Sequence, residues 1–371
     1  MVKRRRPSSE LAARTNLPSE LAVTKTFPLI RSRWLEIFQT VRAAEWWEFK
    51  LSPILASAYA TAFLLKTSII SLWPQLLVAL VALAACAAYV SVINDLTDSK
   101  EDQASGKANR VVGKSRAFVT ATLACCLLLG LVVSVCWRRE PLLLSLYLAS
   151  WIVFTLYSLP PFRLKTRGVL GLLADASGAH LFPTLLIVCI VNRQLAARVD
   201  LIWLASVAAW SLSFGARGIL WHQLSDLHND EKVGLNTFAR RHKTAWLRRL
   251  GNLVIFPVEL ATFFFMLWHA GSSLAVALLC YYMLLTFLRK RIWNVNLVVV
   301  VPKARSYIAM QEYYEVFFPL AFLLSSSKRY PLDAIMIVPH LLLFPRRAVQ
   351  SAKDTKVFRD AFKLMIKRVR G

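Results

Sequence analysis

The sequence predicts an all-α fold, a multi-pass transmembrane helical bundle of about nine spans followed by a tenth, short apolar segment. Three observations lead there. Hydrophobic residues make up 57% of the 371-residue chain, which is too many for a water-soluble domain of this size. They are gathered into repeated runs close to the roughly 20 residues that a helix needs to cross a bilayer. The basic residues are distributed unevenly between the loops. With a cytoplasmic N-terminus, 39 of the 46 Lys and Arg fall on that side and six on the other, with Lys66 inside the first run. That asymmetry follows the positive-inside rule, so the net charge of +25 reflects topology and the lipid bilayer and argues against nucleic acid as a partner.

Taken in order, residues 1–29 read as a mobile basic cytoplasmic tail, since they lack the apolar core of a signal peptide. Residues 30–50 interleave Trp34, Phe38 and Trp46 with charge, as an interfacial amphipathic helix does. Residues 51–325 form the transmembrane domain. Its apolar runs are 51–70, 74–93, 117–137, 141–159, 169–191, 201–221, 250–268, 272–288 and 306–325. Residues 326–371 hold the short apolar run 331–345, interrupted by Pro339 and His340, and a basic amphipathic tail suited to an anionic leaflet. The short run fits a short span, a re-entrant segment or an interfacial helix. The six cysteines lie in or at the ends of apolar runs, without CxxC spacing, and read as small packing residues.

Acidic residues are scarce, and half of the ten Asp fall in two places: Asp95, Asp98 and Asp102 after the second run, and Asp226 and Asp230 after the sixth. Both are on the cytoplasmic side and four spans apart, an approximate internal repeat that sets the clusters facing each other across a central cavity. Spacings of i, i+3, i+7 and of i, i+4 bring each set to one helix face. Such a stripe of carboxylates repels itself unless a cation sits in it, and hard oxygen donors suit Mg²⁺ together with phosphate oxygens. Helix capping explains any one of these acids but not two clusters at corresponding positions. Lys107 and Arg110 follow the first cluster, and Arg217 precedes the second. Tyr157 to Gly168 forms a short loop with Pro160, Pro161, Arg163, Lys165 and Arg167. Mg²⁺ with Lys and Arg is the equipment for holding a diphosphate and stabilising it as it leaves.

On these residues the chain resembles the UbiA-type intramembrane prenyltransferases. Asn94, Asp95, Asp98 and Asp102 match that family's NDxxDxxxD motif, Gly106 to Arg110 its trailing Gly-Lys-x-Asn-Arg, and Asp226 to Asp230 the DxxxD core of the second motif. The resemblance implies a Mg²⁺-dependent transferase that moves a prenyl group from a polyprenyl diphosphate to a small, typically aromatic, acceptor. It implies active-site loops on the cytoplasmic side. Asp95, Asp98, Asp226 and Asp230 would hold Mg²⁺ on the diphosphate, with Asp102 in support and Asn94 beside them. Lys107, Arg110, Tyr157, Lys165, Arg167, Arg217 and Gln223 would contact the substrate. The chain departs from the family at Gly234, where many members carry a third acid, and at His222, which is either an acceptor-side base or a hydrogen-bonded helix residue. Glu312 and Glu315 are membrane-proximal acids of unassigned role. Two rivals share the fold: a polyprenyl-phosphate phosphoribosyltransferase, and a non-catalytic transporter or lipid-binding regulator.

Overall fold

A computed structural model describes residues 35–195 and 200–370. The chain divides into two units, Met1–Ile37 and Phe38–Gly371, and the helical bundle belongs to the second. The expected tail 1–29 and the first residues of the expected helix 30–50 lie outside the described residues.

The second unit is helical almost throughout. Helix α1 (Ala43–Trp46) passes through a π turn at Trp47–Leu51 into α2 (Ser52–Leu64), and α3 runs from Trp73 to Ser105. Then follow α4 (Arg116–Cys136), α5 (Pro141–Ser158) and α6 (Val169–Ala176), which continues through a π turn at Ser177–Leu181 into α7 (Phe182–Gln194). Helix α8 spans Leu201–Lys232. Helix α9 (Thr244–Leu250) joins α10 (Phe256–Ala270) through another π turn, and α11 spans Ser273–Trp293. Beyond it, α12 (Phe318–Ser327), α13 (Ile337–Leu343) and α14 (Pro345–Arg370) complete the chain.

Helix ends follow local chemistry. The Asp200 carboxylate caps α8 by accepting from Ile202 N and Trp203 N, and Ser115 and Ser272 cap α4 and α11 in the same way. Gly106, at φ 76°, stops α3, a left-handed position that glycine takes without a Cβ penalty.

Among the described residues, six segments are long and apolar enough to cross a membrane: Ile70–Ser105, Arg116–Cys136, Pro141–Ser158, Val169–Gln194, Thr244–Ala270 and Ser273–Trp293. The sequence predicts nine, and the other three differ for local reasons. Run 51–70 contains a helix of only 13 residues behind its π turn. Run 201–221 is helical throughout as the first part of the 32-residue α8, but Ser206, Ser211, Ser213 and Arg217 leave it less apolar than the other six. Run 306–325 starts too early, because Ser306–Ile308 pairs in parallel with Asn296–Val298 as a two-stranded ribbon and helix begins only at the π turn Tyr313–Phe317. The tenth segment, Pro331–Leu343, begins as a 3₁₀ turn and reaches about 20 Å end to end, short of a hydrocarbon core of about 30 Å.

At about 1.5 Å per residue, the 33 residues of α3 and 32 of α8 are each about 50 Å long. Both are longer than the roughly 30 Å of a hydrocarbon core, and each acidic cluster lies on the last turns of its helix. These turns are the site's scaffold. Leu172 and Ala176 of α6, Ile219 and Leu220 of α8, and Phe238, Leu247 and Val300 form a buried core that fixes the end of α8. Gly215 lets α6 and α8 touch, since a Cβ there would lie 2.8 Å from the Ala176 carbonyl oxygen. Of the six cysteines, Cys86, Cys126 and Cys189 are buried, Cys125, Cys136 and Cys280 are exposed, and all are free.

Candidate active site

Both acidic clusters open on one polar chamber, lined from α3 by Asn94 and Asp98, from α5 by Tyr157, from α8 by His222, Gln223, Asp226 and Asp230, and from the loops by Lys107 and Lys165. Helical geometry decides which acids arrive there. Four residues advance an α-helix by about 40° past a full turn, so Asn94 and Asp98 share a face. Seven residues return within about 20°, so Asp95 and Asp102 are close in angle, about 60° and 40° from Asp98 and both on the side away from Asn94. This corrects the single stripe expected from the spacing. Asp95 and Asp102 point away from the chamber, into the loop that follows Gly106.

There they hold that loop. Asp95 is 0% exposed, with the Arg42 guanidinium at 2.5 Å, and its other oxygen accepts from Arg110 N at 3.0 Å. Asn109 Nδ2 donates to the Asp95 carbonyl at 2.7 Å and to Asp102 Oδ2 at 2.8 Å. Pinned in this way, the loop sends Lys107 across the chamber to Asp226 at 2.6 Å, linking the two clusters. Burial works to lower the Lys107 pKa, but the Asp226 carboxylate outweighs it and the ammonium is raised.

The loop after α5 supplies the opposite wall. Its Pro160–Pro161 peptide is cis. Gly171 admits it, because a Cβ there would lie 2.6 Å from the Leu164 carbonyl oxygen. Lys165 is 4% exposed and contacts Asp98, which Arg163 also reaches at 3.1 Å. Burial lowers the Lys165 pKa, opposed by the Asp98 charge. Asp230 accepts from Thr237 Oγ1 at 3.0 Å, and Gln223 Oε1 from Ala239 N at 3.0 Å. Among the described residues, no three His, Cys, Asp or Glu side chains converge closely enough to hold a metal ion by themselves.

Three expected substrate contacts lie elsewhere. Arg217 is 1% exposed and forms a bidentate pair with Glu259 at 2.6 and 2.8 Å, sandwiched by Phe214 and Phe256. It sits about 120° from Gln223 around α8, facing Glu259 of α10, and so turns into the bundle. Arg167 donates to the carbonyls of Phe162 and Pro161, closing its own loop. The Arg110 side chain donates to the Ala108 carbonyl and pairs with Glu45, in a neighbouring cavity that shares Glu45, Phe49 and His222 with the chamber. Glu312 pairs with Arg289 and accepts from Ser351, anchoring α14, and Glu315 accepts from Gln311 at 2.6 Å. The imidazole of His222 packs edge-on against Phe49 and Trp221.

The structure adds groups to the chamber that the motifs did not contain: Arg42, Glu45, Phe49, Lys50, Asp175 and His180. Asp175 carried a signal, as a lone acid within the apolar run 169–191. Beyond the chamber lies an apolar annex between α2, α3, α5 and α7, lined by residues such as Ile54, Leu83, Cys86 and Pro183. Trp46, Lys50, Val90, Ser91 and Phe154 line both spaces and form the throat between them.

A family model described as UbiA prenyltransferase family matches residues 53–313. Among solved structures, a UbiA homolog from Archaeoglobus fulgidus bound to GPP and Mg²⁺ aligns with a TM-score of 0.52 at 16% identity, covering 79% of this chain and 99% of that one. The same homolog bound to DMAPP and Mg²⁺ aligns at 0.51, also with 16% identity and coverage of 79% and 99%. At this identity the likeness is one of fold. A comparison with curated proteins gives no match.

Proposed function

Because the chain belongs to the UbiA prenyltransferase family, we propose that it is an integral-membrane, Mg²⁺-dependent transferase moving a prenyl group from a polyprenyl diphosphate to a small aromatic acceptor, at the cytoplasmic face. One observation carries the reading: a charged chamber adjoins an apolar annex, with Trp46, Lys50, Val90, Ser91 and Phe154 lining both. That is the shape of an amphiphile with a diphosphate head and a hydrocarbon tail.

The donor set fits Mg²⁺, since Asn94, Asp98, Asp226 and Asp230 offer hard oxygens from two opposed walls and substrate phosphate would supply the rest. The metal held by these four would neutralise the diphosphate and stabilise it as a leaving group. Lys107 and Lys165, paired with Asp226 and Asp98, would turn to phosphate oxygens when the donor arrives. Asp95, Asp102 and Asn109 act at one remove by holding the loop that presents Lys107. Tyr157 and Gln223 would border the head group, and Trp46, Phe49 and Phe154 would cover the reacting carbon and exclude water. The acceptor is proposed to approach from the adjoining cavity past His222.

The test is equilibrium binding of geranylgeranyl diphosphate to the purified protein, with and without Mg²⁺, compared with polyprenyl phosphate and phosphoribosyl diphosphate. Mg²⁺-dependent binding of the prenyl diphosphate that is lost in Asp98→Asn and Asp226→Asn is the expected result. Preference for polyprenyl phosphate with phosphoribosyl diphosphate would replace the proposal with sugar transfer, and binding indifferent to metal and to both substitutions would remove catalysis from the account.

A further inference from the structure

Four cations line the chamber, and three have acidic partners. Arg42 pairs with Asp95, Lys107 with Asp226 and Lys165 with Asp98. The fourth, Lys50, forms no hydrogen bond or ion pair among the described residues. It is carried by the π turn Trp47–Leu51, at the start of the first apolar run, and lines both the chamber and the annex. A half-buried ammonium without a bonded counter-ion is costly to maintain: one neighbouring space is apolar, and in the chamber Glu45, Asp98 and Asp226 are engaged by other cations while Asp175 and Asp230 form no ion pair with it.

We propose that Lys50 is a catalytic contact of the transfer reaction, donating a hydrogen bond to the α-phosphate at the oxygen that leaves. The inference rests on the prenyl-diphosphate reading of the site and extends it to one atom. If the head fills the chamber and the tail fills the annex, the bond that joins them crosses the throat, where Lys50 stands. As the C1–O bond breaks, its electron pair stays on the diphosphate oxygen and the allylic C1 becomes electron-poor. An acceptor atom then bonds to C1, and the proton it sheds goes to solvent. Lys50 keeps its own proton throughout and meets negative charge that grows in the transition state, so its effect falls on the rate as well as on donor affinity. The charge also orients the donor, since an ammonium at the throat repels the allylic carbon and attracts only the oxygen side.

The experiment uses the full chain with geranylgeranyl diphosphate and Mg²⁺, and water as the acceptor, so that no native acceptor is needed. It reads donor affinity at equilibrium and the single-turnover rate of diphosphate release. Lys50→Met is expected to bind the donor about 10-fold more weakly and to release diphosphate about 100-fold more slowly, on the scale of one lost hydrogen-bond donor to a developing oxyanion. Lys50→Arg is expected to recover most of both, and inorganic diphosphate binding should weaken with Lys50→Met as well. A Lys50→Met protein that binds and turns over the donor like wild type, while Asp98→Asn loses both, would overturn the inference and leave the donor reading standing. Wild-type protein that fails to bind the prenyl diphosphate with Mg²⁺ would overturn the donor reading first and this inference with it.

Discussion

Arg217 separates what the sequence predicts from what the bundle does. The motif reading puts this residue on the substrate, whereas in the structure it and Glu259 are 1% and 0% exposed and joined by two hydrogen bonds. Arg217→Met would leave the Glu259 carboxylate buried with only the Tyr314 hydroxyl, at 3.0 Å. Removing one partner of a buried pair costs about 3–5 kcal/mol, against about 0–1 kcal/mol for an exposed pair. The double change Arg217→Met with Glu259→Leu removes both charges and fills similar volume, so it should regain most of that loss. The assay is thermal unfolding in detergent followed by tryptophan fluorescence, alongside geranylgeranyl diphosphate affinity. The expected pattern is a large fall in midpoint for the single variant, recovery in the double, and donor affinity within 2-fold of wild type in the folded protein. An unchanged midpoint with donor affinity reduced 10-fold, equivalent to about 1.4 kcal/mol, would refute the reasoning and return Arg217 to the substrate.

Asn109→Ala should weaken Mg²⁺-dependent donor binding about 10-fold by releasing the loop that presents Lys107, while Lys107→Met in the same background adds little, as a double-mutant cycle would register. Ala87→Phe narrows the annex and should shift preference from geranylgeranyl toward geranyl diphosphate, measured by competition between the two. The alkaline limb of kcat/KM for diphosphate release should fall below the ordinary lysine range. Burial lowers the Lys165 pKa in the folded protein, so as pH rises Lys165 loses its proton, and with it its hold on phosphate, earlier than a free lysine would. The sign for stability is opposite. Between the lowered folded value and the unfolded one, the unfolded chain binds more protons, so this group makes folding more favourable as pH climbs through that window.

The fold class was legible because membrane insertion writes itself into composition: run length and the distribution of Lys and Arg report the bilayer directly. What escaped is local. Nothing in run 306–325 marks that its first three residues pair with Asn296–Val298, since a stretch as short as Ser306-Tyr307-Ile308 reads equally well as helix or strand. The 13-residue α2 is continued by a π turn that no periodicity announces.

The site was legible by residue type and less so by helical phase. Spacing of i, i+3, i+7 was enough to collect Asp95, Asp98 and Asp102 on one half of α3, yet residual rotations of about 40–60° and the bonds of Asn109 and Arg110 divide them into one acid in the chamber and two under the loop. The same geometry turns Arg217 away from the chamber, although it lies only six residues from Gln223 along α8. Motif strings record which side chains are present; the angle at which each helix meets its neighbours assigns them between substrate and scaffold. Lys50 is the converse case. It belongs to no motif, and a lysine ahead of an apolar run is ordinary by the positive-inside rule. Only its position at the throat, with every other cation in the chamber already paired, distinguishes it. Charges without partners in a closed geometry carry information that a linear pattern lacks, because the absence of a counter-ion is a property of the assembled bundle.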